Sequence, residues 1–117
     1  MSEPQQTLTI QQALDLAVQH HTSGRLSQAE NIYQQILQND PSQPIALHLL
    51  GVIAHQEGRN DVAVDRITRA LAIEPDYTDA HNNLGLTLLR TNRLDEALEQ
   101  ENYELAAILR DELRVME

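Results

Sequence analysis

The chain has 117 residues, 41% of them hydrophobic, which is enough to bury a core and argues against wholesale disorder. Its 18 acidic residues outnumber 8 basic ones, all arginine, and a net charge of −10 makes it a poor binder of nucleic acid or an anionic membrane. With no cysteine there is no disulfide framework, thiol nucleophile or thiolate metal site, and no apolar run approaches the ~18 residues of a membrane span.

Residues 1–8, opening Met-Ser-Glu-Pro-Gln-Gln, lack the basic-then-apolar order of a secretory signal. They are expected to form a flexible terminus on a cytoplasmic chain. A first helix is predicted near 9–23, opened by Thr9 and Gln12 in capping-box spacing, and a second near 26–39, ending before Pro41. The third, near 43–57, starts at Pro44, where a missing N–H costs nothing, and stops at Gly58. Leu47, Leu50 and Ala54 recur along it at helical spacing, as Ala63, Ile67, Ala70 and Leu71 do along a fourth helix near 60–73. Pro75 lies beyond that end. A fifth helix is expected near 77–91 and a sixth near 94–116, with a turn at Asn92-Arg93 between them.

A shift of 34 residues superimposes much of the chain on itself. It aligns Leu16 with Leu50 and Leu84, Ala17 with Gly51 and Gly85, and Ala29 with Ala63 and Ala97. The turns Gly24-Arg25, Gly58-Arg59 and Asn92-Arg93 also coincide, as do Pro41 and Pro75. Small residues midway along each first helix face a small residue on the second, so that the two axes approach closely, and larger side chains fill the space on either side. This pattern resembles the tetratricopeptide repeat over about residues 10–98. The resemblance implies an all-α helix-turn-helix solenoid of three hairpins, in units 10–43, 44–77 and a partial 78–100, the last atypical and capping. Residues 101–117 are then a capping helix or, alternatively, a docking helix. His20, Ala13 and His81 depart from the family's usual bulky residues.

Chemistry-bearing constellations are few. The four glycines are scattered, and no His-Glu-x-x-His pattern occurs. His48 and His55 stand seven residues apart, two turns along one face, too far to share a metal without further ligands. A non-enzymatic chain without metal or cofactor is expected.

In the resembled family the first helices line a concave groove, and carrying its positions over, residue by residue, gives an address. The first unit supplies Gln11, Leu14, Asp15, Val18 and His21; the second Ile45, His48, Leu49, Val52 and His55. The third supplies Asp79, Asn82, Asn83, Leu86 and Leu89, with Arg90 at the rim. This mixture of aliphatic and hydrogen-bonding groups suits an extended segment or a partner helix. Histidines there suggest tighter binding of acidic partners below about pH 6, where imidazole charges. An acidic chaperone tail ending Glu-Glu-Val-Asp is not the expected ligand, because its clamp positions hold Leu14, Val18, Leu49, Asp79 and Asn83. The asparagine ladder of O-linked N-acetylglucosamine transferase repeats survives only at Asn83, since Asp15 and Leu49 break it.

Past Leu98 the repeat fails, with Glu101 where Tyr33 and Ile67 stood, while Leu105, Ile108, Leu109, Leu113 and Met116 keep a helical period. Eight acidic residues between Asp95 and Glu117 give the polar outer face that a solenoid end needs. The run from Tyr103 through Ala106, Ala107, Arg110 and Asp111 to Leu113 is similar to the UVR motif of bacterial excision-repair proteins B and C. That likeness implies an alternative role, a hairpin docking on a repair or Clp-protease-type partner, with a break at Glu101-Asn102. The partner is therefore expected to be a protein or peptide, and a homodimer through the last helix or the solenoid ends is a further expectation.

Overall fold

The computed structural model describes residues 8–99 and 103–115; the start of the expected flexible terminus and the expected break at Glu101-Asn102 lie outside the described residues. The described residues form α1 (Ile10–Thr22), α2 (Leu26–Asn39), α3 (Pro44–Gln56), α4 (Asn60–Ile73), α5 (Thr78–Glu99) and α6 (Tyr103–Val115), with no strand among them. Each helix packs on the next in sequence, as in a helical-repeat stack.

Local chemistry sets the first helix boundaries. Thr9 and Gln12 cap α1 reciprocally: the Gln12 amide donates to Thr9 Oγ1 at 3.1 Å, and the Thr9 amide to Gln12 Oε1 at 2.9 Å. Pro44 occupies the first turn of α3, whose Ile45 amide is met by Gln43 Oε1 at 2.9 Å. At the ends of α1 and α3 the chain turns through Gly24 and Gly58 at φ +79° and +78°. In both turns the following arginine amide reaches back, Arg25 to His20 O and Arg59 to Ala54 O, each at 2.8 Å. A left-handed glycine is what allows each helix to stop there.

The third turn is different. Asn92 stands where the glycines stand, and α5 runs straight through to Glu99. Asparagine carries a Cβ that penalises positive φ, so continuing the helix wins over turning. The residues expected in one helix over 94–116 are thus divided between α5 and α6. Helix α6 folds back on α5 and also reaches α3, burying Ala106 and Leu109 against Leu94.

The main core runs between the first two units. Leu14, Ala17, Ala29, Tyr33, Ile36, Ala46, Leu50 and Ile53 form one cluster. Ala63, Ile67, Ala70 and Ala80 are buried further along the stack. The small residues act as expected in these units: Ala17 and Ala29 are fully buried, and a Cβ on Gly51 would come within 2.6 Å of Ile67 Cγ1 and 3.2 Å of the Ala63 carbonyl. A Cβ on Gly85 would meet nothing within 4 Å, and the residues just past Asn92, which align with α4, continue α5 instead of turning back over it. The molecule is accordingly long, 68 × 28 × 18 Å, with a radius of gyration of 16.7 Å.

Candidate functional site

The first helices α1, α3 and α5 are tied to one another by polar side chains. His21 Nε2–H donates to Gln56 Oε1 at 2.9 Å, joining α1 to α3. Between α3 and α5, Asn83 Nδ2 donates to His48 Nε2 at 2.8 Å, and Arg90 Nη1 donates to His55 Nε2 at 3.0 Å. All three pairs are separated by 35 residues, one more than the repeat, which is the offset at which one first helix faces the next.

The remaining ring nitrogens follow by elimination. The Nε2 atoms of His48 and His55 both accept, so each Nδ1 carries the proton. His48 Nδ1–H donates to the Tyr77 hydroxyl at 2.9 Å, with the two rings edge to face at a centroid distance of 4.7 Å. The Thr87 hydroxyl donates to the Asn83 carbonyl at 2.8 Å and so accepts from His55 Nδ1–H at 2.9 Å. Tyr77, His48, Asn83, Thr87, His55 and Arg90 therefore form one connected chain along the α3–α5 joint.

Burial lowers the pKa of both histidines. Asp79 opposes that shift at His48, while the Arg90 guanidinium adds to it at His55. The expectation that these imidazoles charge near pH 6 and attract acidic partners is corrected by this environment. They are 3% and 8% exposed and already bonded within the fold, so the neutral form is the one held in place.

The other anticipated groove residues divide by exposure. Leu14 lies in the core. Val18, Asp79, Asn82, Leu86 and Leu89 are exposed, and His21, Leu49, Val52, Asn83 and Arg90 are half-buried. An open cleft of about 520 Å³ is lined by Val18, His21, Leu26, Leu49 and Gln56 among others. At the other end, Ala106 is buried, while Ala107, Arg110 and Asp111 are exposed on α6; Tyr103 opens that helix, and its side chain is outside the described set. Sequence reasoning missed Gln56, Tyr77 and Thr87 as partners of the histidines. The 35-residue spacing of polar pairs was the signal that could have found Gln56.

Among the described residues no three His, Asp or Glu side chains are grouped so as to hold a metal ion, and no helix is long and apolar enough to cross a membrane. The tetratricopeptide repeat family model matches residues 14–65 and 56–111. The chain belongs to the tetratricopeptide repeat family. It is also similar to the mouse (Mus musculus) DnaJ homolog subfamily C member 3, with 26% identity over 88 residues. That match takes in 75% of this chain but only 18% of the mouse protein.

Proposed function

We propose that this tetratricopeptide repeat chain is a non-enzymatic interaction scaffold that grips an extended peptide or an amphipathic helix along the face made by α1, α3 and α5. The observation that carries this reading is the open apolar strip on that face: Val18, Leu86 and Leu89 are exposed and Leu49 and Val52 half-buried, beside the cleft between α1 and α3. Apolar anchors of this kind bind when a partner's side chains fill them, and the polar rim sets register. Asp15, Asp79 and Asn82 are exposed and offer acceptors around the strip. A partner with apolar side chains flanked by basic residues fits such a rim on a chain of net charge −10. His48, His55 and Asn83 contribute by holding α3 against α5, so that the strip is presented at a fixed spacing.

A second reading is favoured by the α5–α6 hairpin, which leaves Arg110 and Asp111 exposed on a helix of its own. In it the hairpin docks on a regulatory protein. Capture of partners from a lysate with paired variants separates the two. Val18→Glu with Leu86→Glu should abolish capture of a partner that Arg110→Ala with Asp111→Ala still retains; the reverse pattern would assign binding to the hairpin.

A further inference from the structure

We propose that the third unit is an open hairpin that two copies of this chain exchange: the part of α5 beyond Asn92 in one copy docks on the Leu84–Gly85–Leu88 face of the other, and the reverse.

The face is bare in a way that its equivalents are not. In the first unit Leu16 and Ala17 stand where Leu84 and Gly85 stand, and Ala17 is fully buried against the second helix. In the second unit Gly51 is closed over by Ile67 and the Ala63 carbonyl. In the third, Gly85 is exposed with nothing within 4 Å of its Cβ position, and Leu88 is 48% exposed.

The repeat itself designates the occupant. The part of α5 beyond Asn92 aligns with α4, whose Ala63 and Ile67 close over Gly51, and Leu94 and Leu98 align with Asn60 and Val64, both half-buried there. In this structure Leu94 and Leu98 lie on the same straight helix as Leu84 and Leu88, and residues ten apart on one helix are ~15 Å apart along its axis. The segment therefore cannot cover its own first helix while α5 is continuous. A second copy supplies an identical segment, and two-fold exchange satisfies both faces at once.

The hinge is the residue that distinguishes this unit. Gly24 and Gly58 turn at positive φ, whereas Asn92 makes the same turn less favourable, though less so than any β-branched or bulky residue would. Closed and open forms of the unit are then close in free energy, the condition under which hairpins exchange. Each copy presents Leu84, Leu88 and Leu98, all exposed or half-buried. Symmetry counts every one of these contacts twice, as in any isologous interface. On docking, Leu94 exchanges Ala106 and Leu109 for the face of the second copy, a place like that of Leu26 beside the first core.

Sedimentation equilibrium on the whole chain tests this. The wild type should reach a dimer as concentration rises. Asn92→Gly, which closes the hinge without touching the face, should weaken the dimer about tenfold or more, and Asn92→Ala should strengthen it. Leu88→Glu, at an exposed position, should dissociate the dimer while leaving the helical circular dichroism unchanged. A wild type that stays monomeric at every concentration, or a dimer whose constant neither Asn92→Gly nor Leu88→Glu moves, would overturn the proposal.

Discussion

Gly51 and Gly85 occupy the same place in successive units, yet the same substitution should act on them with opposite sign. At Gly51 an added methyl would have to displace Ile67, the nearest atom to its Cβ position, and crowd a backbone carbonyl that cannot swing away. Overpacking of that kind outweighs the better helix propensity of alanine, so Gly51→Ala should cost about 1–2 kcal/mol. At Gly85 the space is open, and only propensity remains: Gly85→Ala should gain about 0.5–1 kcal/mol at concentrations where the chain is monomeric. Urea unfolding of the two variants checks both signs. A loss of comparable size at Gly85 would mean that its face is covered within the monomer.

The joint between α3 and α5 carries the chain's clearest pH dependence. The folded-state pKa values of His48 and His55 are lowered, so the unfolded chain takes up protons first as pH falls. The stability that they contribute is complete above the ordinary imidazole value of 6.5 and is lost as pH falls from there through the folded-state values. The two sites differ in how they respond. Asn83 can turn its amide to offer an oxygen to a protonated His48, whereas Arg90 has no acceptor to offer His55. The comparison that isolates the effect is wild type against His48→Gln with His55→Gln, because carboxylate titration on a −10 chain changes stability in both alike. The stability gap between them should narrow between pH 7 and pH 5, and most of the narrowing should be reproduced by His55→Gln alone. A gap that widens on acidification would mean that the folded chain, not the unfolded one, takes up the protons first.

At this scale the sequence was legible wherever local rules act alone. Thr9 with Gln12, Pro44, Gly24 and Gly58 mark helix ends by capping and backbone sterics, and α1 to α4 begin and end within a residue or two of where those residues place them. The third turn was not legible, because aligning Asn92 with two glycines treats as equivalent two residues that differ in their tolerance of positive φ. The candidate groove was half-legible for a related reason. A period of 34 says which residues share a face, but not that the histidines on that face are consumed by partners 35 residues on. Their hydrogen-bonding chemistry reads the same from sequence whether it points to a ligand or to the next helix.

For the whole molecule, two complete hairpins and an open third make a rod 68 Å long, with one face built from three first helices and the unpaired side of α5 at its end. The surface proposed for a partner, Val18, Leu49, Val52, Leu86 and Leu89, belongs to the first of these. The proposed exchange uses the second, and α6, which packs on α5 and reaches α3, carries Arg110 and Asp111 exposed. Binding and exchange are therefore separable by position. The most direct measurement is a methyl and amide NMR titration of the chain with a captured partner peptide. Shifts are expected at the Val18, Leu49, Val52 and Leu86 methyls with Ile32, Ile73 and the amides of Arg110 and Asp111 unmoved. Shifts confined to α6, with those four methyls silent, would contradict binding along the strip.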